Sequence, residues 1–519
     1  MNFFKSTLII SICTLISRIS GFIRDIFLAN YLGTGAFSDV FFTALKLPNL
    51  FRSIFAEGAF NSSFVPILSD QLIKQNNKAT IKKFVKNIFS IMLLFLIIFT
   101  IIIEMCMPLV IKVFAGGFTN DPEKYQLIIS LSRIMFPYLI FICLVSLLSG
   151  ILNSLDKFVE SSIMPVILNV SIILFAISSG AFSMNIAYVL SYAVLVGGFF
   201  QFAFLLNAVR HNGFRVHPTL IQFDALTKQF FKIFSNGFFS SAIIQINALV
   251  DTSFATTIIG GVSYIYYTDR LVQMPLSLIG TAIGISVLPL LSKKVSSKSE
   301  EQYEIQHDAI ITGLFLGLPC LIGFFILGKH IVPLLFENGK FLREDSIEVV
   351  KCLSVYAFAI PFFILTKILQ SIFYSNKDTK SPLIASIYSL ISNIVFNYLL
   401  IKKYSYIGIV LSTVISSCLN VVVLCYYLIK LKYVKLSLDF GIKLLKLIYP
   451  LIFFTLMLSL GSQKLFLSAW DGKMIVFTKL AILGSASGLI YLFLGYILNV
   501  FDIKSIITKK VSSKSAKQN

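Results

Sequence analysis

Apolar runs of membrane-spanning length follow one another along nearly the whole chain, separated by short polar stretches. A helix needs about 20 apolar residues to cross the hydrocarbon core of a bilayer. Such runs fall at about 6–32, 37–60, 84–114, 127–152, 160–182, 185–209, 231–259, 264–291, 308–336, 347–373, 382–401, 406–429, 440–462 and 474–500, which makes fourteen. The pattern predicts an all-α polytopic membrane protein with fourteen transmembrane helices. The first run holds Arg18 and Arg24 and lacks a small-residue cleavage site after a clean apolar core, so it reads as a retained span rather than a signal peptide.

Composition agrees with the pattern. The chain is 57% hydrophobic and 13% charged, where a soluble domain carries about 25% charged residues. The net charge of +20 comes from lysines scattered between apolar runs, without aromatic-interleaved basic patches, so nucleic acid is not an expected partner. With the N-terminus inside, the inside loops collect Lys74, Lys78, Lys82, Lys83 and Lys86, then Arg210, Arg215, Lys228 and Lys232, then Lys293, Lys294 and Lys298, then Lys430, Lys432 and Lys435. That bias places both termini in the cytoplasm. The lysine-serine tail at 503–519 reads as disordered. The seven cysteines have no metal or CxxC spacing and lie in apolar runs, where they behave as small hydrophobes.

The chain also repeats itself. RIMFPYLIFICLVSLLSGILNSLDKFVESSIMPVILN (133–169) resembles VYAFAIPFFILTKILQSIFYSNKDTKSPLIASIYSLISN (355–393), with Pro137 over Pro361 and Asn169 over Asn393. The pair Pro48 and Pro66 matches Pro275 and Pro289 at nearly the same offset. Matching loops fall on the same side, as in transporters whose halves are related by an axis along the membrane normal. The expected organisation is two six-helix lobes, 1–215 and 216–432, two extra spans in 433–502, and the tail. The substrate site is expected at the lobe interface.

Arginine sharpens the functional reading. Only eight of the 44 basic residues are arginines, and five of them (Arg18, Arg24, Arg52, Arg133 and Arg270) lie inside apolar segments. A charge at mid-bilayer costs about 2.5–3.5 kcal/mol or more, which makes each a functional hypothesis. Arginine also forks onto phosphate and keeps its proton where buried lysine loses it. Arg24, Arg52 and Arg270 are therefore candidates to converge on one anion, with Arg18 alongside. Arg18 and Arg24 are six residues apart, on different faces of an unbroken helix, and Ser20-Gly21 offers a bend. Asp25 is spaced to partner Arg18, while Asp39, Glu57 and Asp269 supply further gating or ion-pair partners. The plainer alternative is that these acids and arginines only hold helices together. Arg133, with no acid close in sequence, fits an interfacial helix end.

Asp251, Asn393, Asn397 and Thr413 gather oxygen ligands within spans, a set suited to a Na⁺ or proton-coupling site or, more plainly, to interhelical hydrogen bonds. The four histidines have no ligand spacing and there is no phosphate-binding loop, so no enzyme and no resident cofactor are expected.

Three runs carry a family likeness: SRISGFIRD (17–25), DVFFTALKLPNLFRSIFAEGAFNSSFVPILSD (39–70) and YYTDRLVQMPLSLIGTAIGISVLPLLSKK (266–294). They resemble the MurJ (MviN) family of bacterial lipid II flippases, and the likeness extends over about residues 1–500. The resemblance implies a monomeric, multi-pass inner-membrane protein of the multidrug/oligosaccharidyl-lipid/polysaccharide exporter superfamily, with two lobes around a cationic cavity. It implies transfer of undecaprenyl-pyrophosphate-linked disaccharide-pentapeptide from the cytoplasmic to the periplasmic leaflet, in peptidoglycan biosynthesis. The family's essential cavity arginines match Arg18, Arg24, Arg52 and Arg270, and its second-span acid matches Asp39. By the same resemblance, the two last spans form a groove for the polyprenyl tail, membrane potential drives transport, and a sodium site maps onto Asp251, Asn393, Asn397 and Thr413.

Two rivals stay in view. A flippase for another polyprenyl-pyrophosphate oligosaccharide shares the fold and the need for cations. A cation-coupled drug exporter would favour acidic residues in its cavity, and this chain has the opposite excess.

Overall fold

A computed structural model describes residues 3–74, 78–435, 437–466 and 472–500, without the side chains of 3–11, 57–59, 61–62, 78, 236–244 and 246–248. The expected tail at 503–519 lies outside the described residues. Among the described residues the fold is all helical, with no strand. Nine helices there are long and apolar enough to cross a membrane, or ten if the bent pair Arg343–Tyr356 and Ala359–Ser375, which meet at 44°, counts as one span.

The chain divides into two compact units. The first holds the residues through Ser263 together with Asn338–Leu342. Its helices are α1 (Phe3–Leu32), α2 (Ala36–Arg52), α3 (Asn61–Ile73), α4 (Lys78–Met105), α5 (Met107–Phe114), α6 (Pro122–Met135), α7 (Tyr138–Ser154), α8 (Phe158–Ser162), α9 (Met164–Ile177), α10 (Ile186–His211) and α11 (Ala225–Ala255). Their starts follow from short polar side chains. Asp121, Asn185 and Asp224 accept from backbone N–H groups in the first turns of α6, α10 and α11, and prolines stand at the starts of α5, α6 and α9. Asp121 is half-buried, and its bond from the Lys124 N–H is the main cause holding its carboxyl below the usual range. α10 packs on α6, α7 and α9, α1 on α9, and α2 on α6 and α7. Tyr138, Leu139, Leu147 and Ile151 are buried among them.

Helix α12 (Gly261–Pro275) leads into the second unit, which holds Tyr264–Glu337 and the described residues from Arg343 onward. There α13 (Thr281–Ser296), α14 (Glu301–Phe336), α15 (Arg343–Tyr356), α16 (Ala359–Ser375), α17 (Lys380–Lys430), α18 (Leu438–Lys446), α19 (Ile448–Leu465) and α20 (Lys473–Ile497) follow in order. The runs expected at 382–401 and 406–429 form the single 51-residue element α17, broken only at Ser405 (φ 54°, ψ −140°). Just past this kink Gly408 lies so close that a Cβ there would sit 2.5 Å from the Leu400 carbonyl oxygen. Asp378, chemically unassigned in the sequence, caps α17 by accepting from Lys380 N (2.9 Å) and Ser381 N (3.0 Å). The last two helices pack on α14. Tyr491 donates to the Phe315 carbonyl at 2.8 Å and stacks on the Phe315 ring at 4.5 Å.

The sequence repeat has structural counterparts inside each unit. After Pro48 the helix widens into a π segment, Ser53–Phe60, before α3 resumes. After Pro275 a π segment, Leu276–Gly280, precedes α13. Proline removes a backbone donor and crowds the preceding turn, and in each unit the widened segment follows it within a few residues. The ends of α7 and α16 also match. Lys157 N bonds Leu152 O at 2.8 Å beside left-handed Asp156 (φ 59°), and Asp378 N bonds Phe373 O at 3.0 Å beside left-handed Lys377 (φ 60°). Finally, α4 and α14 each hold an irregular stretch by side-chain bonds to its backbone. Asn87 Oδ1 accepts from Gln222 N at 2.9 Å and Ser90 Oγ from Thr219 N at 2.8 Å. In the second unit Gln306 donates to Tyr433 O at 3.1 Å and His307 Nε2 meets Lys435 O at 2.8 Å.

Candidate functional site

In the first unit α1 runs unbroken through Ser20-Gly21, so Arg18 and Arg24 stay on different faces. Arg18 is exposed and Arg24 is half-buried. Asp25, spaced for Arg18, instead takes Arg24: Nη2 meets Asp25 Oδ1 at 2.7 Å and Nε donates to the same oxygen at 3.1 Å. Arg24 Nη1 donates to Asn169 Oδ1 at 3.0 Å, and Asn169 Nδ2 donates to Ser20 Oγ at 2.9 Å. A guanidinium, a carboxylate and an amide thus form one network between α1 and α9. Gly21 lies against it, with a Cβ there at ordinary contact distance, 3.5 Å, from Asn169 Nδ2.

Arg52 closes α2 at the edge of the π segment, half-buried, with Nε donating to Asn49 Oδ1 at 3.3 Å. Lys46, two turns earlier, donates to Thr252 Oγ1 of α11 at 2.5 Å. Asp251, beside Thr252, is half-buried. Asp39, in the first turn of α2, is 1% exposed. Its Oδ2 accepts from Gly260 N at 2.6 Å, and Oδ1 accepts from Ser263 N at 2.8 Å and Ser263 Oγ at 2.7 Å. A carboxyl with three donors is a fixed joint, and it sits where α12 begins, the end of a helix that favours an anion. Glu57 lies among the residues whose side chains are not described.

In the second unit Arg270 is half-buried on α12. Its guanidinium lies 4.8 Å from the Tyr266 ring centroid, and Nη2 donates to the Tyr266 hydroxyl at 3.1 Å. The neighbouring Asp269 accepts from Gln273 Nε2 and from the Tyr356 hydroxyl, each at 3.3 Å. Stacking on an aromatic face suits arginine's weakly hydrated plane and orients it for a second planar partner. Arg133 is exposed on α6, within electrostatic reach of Glu104 on α4.

Of the proposed cation ligands, Asn393 and Asn397 lie side by side. Asn393 and Asn397 are fully buried one turn apart on α17, with Asn397 Nδ2 donating to Asn393 Oδ1 at 3.0 Å. The hydroxyl that joins them is Ser412, which donates to Asn397 Oδ1 at 2.5 Å. Thr413 donates to its own helix at Ile409 O, 3.1 Å. Asp251 belongs to the first unit. Among the described residues no three His, Cys, Asp or Glu side chains are grouped to hold a metal.

Several partners were not singled out in the sequence as site residues: Asn169, Asn49, Tyr266, Ser263 and Ser412. The repeat gave the one available signal, because it set Asn169 over Asn393. Both prove to be buried asparagines in polar networks.

Spanning helices with arginines beside proline-linked π segments define the class: an integral membrane protein with the fold of solved MATE transporters. It is similar to an inward-facing MATE-family transporter of the MOP superfamily with TM-score 0.65 and 15% identity, covering 82% of this chain and 99% of that one. A solved lipid II flippase MurJ in an inward closed conformation is more similar, with TM-score 0.78 and 25% identity over 94% of this chain and 98% of that one. The chain belongs to the lipid II flippase MurJ family, which matches residues 28–481. A probable lipid II flippase from Rickettsia prowazekii is 36% identical over 86% of this chain and 87% of its own length. One from Buchnera aphidicola of Schizaphis graminum is 34% identical over 95% and 96%.

Proposed function

We propose that the protein flips lipid II, the undecaprenyl-pyrophosphate-linked peptidoglycan precursor, from the cytoplasmic to the periplasmic leaflet of the bacterial inner membrane by alternating access. The observation that carries this reading is the family match over residues 28–481, which takes in Arg52 and Arg270. The same reading arranges the chain as fourteen spans with both termini in the cytoplasm. Two six-helix lobes, 1–215 and 216–432, are followed by two helices in 433–502 that hold the polyprenyl tail, and the protein works as a monomer. Arg24, Arg52 and Arg270 recruit the pyrophosphate, Arg18 and Glu57 tune the entrance, and Asp25, Asp39 and Asp269 position cations and helices. The tail stays in lipid, so only the polar head crosses.

Two properties of the arginines support the chemistry. They stay protonated when desolvated, and their forked donors match phosphate oxygens. Arg52 donates to Asn49 and Arg270 to Tyr266, and each of these bonds to a neutral group orients a guanidinium. Arg24 is oriented by the Asp25 carboxylate and by Asn169.

Complementation of bacterial cells depleted of their own lipid II flippase tests the reading. Wild type is expected to restore growth, and Arg270→Ala at matched membrane levels to lower colony recovery about tenfold, the cost of one charge-assisted bond. Failure of well-expressed wild type would overturn the substrate assignment in favour of another polyprenyl-pyrophosphate oligosaccharide.

Membrane potential drives the cycle in this proposal, since one charge across 100 mV is worth about 2.3 kcal/mol. Na⁺ or a proton at Asp251, Asn393, Asn397 and Thr413 resets it. Neutral amide and hydroxyl oxygens suit Na⁺, with Asp251 supplying the charge. Replacing Na⁺ by N-methylglucamine in vesicles at fixed potential and pH is expected to slow flipping severalfold. An unchanged rate would remove Na⁺ and leave the proton.

A further inference from the structure

The segment Leu438–Leu465 is 28 residues of apolar helix. At 1.5 Å per residue that is about 42 Å, against about 30 Å of hydrocarbon. The surplus falls on α18, which places three charged residues in nine: Asp439, Lys443 and Lys446. At 100° per residue α18 has three stripes. Phe440 and Leu444 face inward against the core around α14, where Phe440 stacks on His307 at 4.4 Å. Asp439, Lys443 and Lys446 form the second stripe. Leu438, Ile442 and Leu445 form the third and are 89%, 50% and 64% exposed. That stripe continues at helical spacing into Tyr449, Ile452 and Leu456, all exposed on the spanning helix α19.

We propose that α18 is a binding site for anionic phospholipid, with acyl chains along Leu438, Ile442 and Leu445 and the headgroup phosphate on Lys443 and Lys446. Three observations carry it. The apolar stripe is continuous with the lipid-facing side of a spanning helix, so acyl chains are the occupant that already covers its neighbour. The cationic stripe flanks the apolar one, which is the side-by-side layout of a helix lying at a headgroup boundary. Charge is in excess: residues 430–446 hold five lysines and one acid. Lys443 meets Asp439 at 3.1 Å and Lys435 meets Glu300 at 2.8 Å, which leaves Lys446, Lys430 and Lys432 beyond those two pairs. Ser437, accepting from Phe440 N at 3.2 Å, and the His307–Phe440 stack fix the helix's rotation, so the stripe is presented before lipid arrives. The site lies at the start of the segment that the proposed function gives to the polyprenyl tail, but it is argued from the α18 stripes alone and does not depend on the identity of the transported substrate.

Native mass spectrometry of the full-length protein in detergent, with dioleoyl phosphatidylglycerol or dioleoyl phosphatidylcholine added, tests the site. Each lysine near an anionic surface is worth about fivefold in binding. With Lys443 partly matched by Asp439, Lys443→Gln/Lys446→Gln is expected to lower phosphatidylglycerol retention roughly tenfold, leaving phosphatidylcholine and thermal melting unchanged. Leu438→Ser/Leu445→Ser is expected to lower retention of both lipids. The control Lys82→Gln/Lys83→Gln, on the exposed face near the start of α4, is expected to change neither. Unchanged phosphatidylglycerol retention in the double lysine variant would overturn the proposal, as would an equal fall in the control.

Discussion

Asp39→Ala is expected to destabilise the protein by about 3 kcal/mol or more, and to lower its melting temperature in detergent by roughly 5–10 °C. The side chain is 1% exposed and accepts from Gly260 N, Ser263 N and Ser263 Oγ. Removing it strands two buried backbone donors, and an orphaned buried donor costs about 1–3 kcal/mol. Asp39→Asn keeps one acceptor oxygen but turns an amide N–H₂ toward a donor, so its loss should be intermediate. Differential scanning fluorimetry of the three proteins checks the order. An alanine variant that melts with wild type would show that Asp39 is not a structural joint.

The second large effect separates two roles for Arg24. Breaking a buried ion pair from one side costs about 3–5 kcal/mol, because the partner is left charged and alone, while removing both sides is far milder. Asp25 is 2% exposed and Arg24 is its cation. Arg24→Ala is therefore expected to lower both stability and complementation, the latter by roughly 100-fold, the scale of a buried charge pair broken from one side. Arg24→Ala/Asp25→Ala should recover most of the melting temperature. If Arg24 binds the anion, the double variant still fails to complement. If Arg24 only neutralises Asp25, growth returns with stability, and the anion-site role is lost.

Much of this was legible in the chain because lipid imposes simple rules. The all-helical class and the nine or ten spanning helices among the described residues follow from hydropathy, the repeated π segments accompany the repeated prolines, and the family likeness rests on the 39–70 and 266–294 runs. Pairing was harder. Spacing on an ideal helix offered Asp25 to Arg18, yet adjacent residues pair when the guanidinium can fold back along the helix, and Asn169 on α9 completes that geometry. No local pattern points from Ser20 to Asn169 across 149 residues. Likewise the sequence did not offer Ser412, which donates to Asn397 beyond the kink at Ser405 that sets the rotation of the second half of α17. A contact of that kind depends on a break that hydropathy does not register.

The π segment at Ser53–Phe60 changes how positions can be compared along this helix. Each added residue in a turn advances the winding by about 100° relative to an ordinary helix. α2 and α3 therefore share a path but not a phase, and a helical wheel drawn from Ala36 to Ile73 would assign the wrong side to every position past Arg52. Arg52 stands at that phase boundary. Its direction is set by the α2 register, while Phe64 and Val65, which lie against Gly150 of α7, follow a register of their own. The direction of the cation and the seating of the helix are thereby uncoupled, so that one can be altered without re-aiming the other.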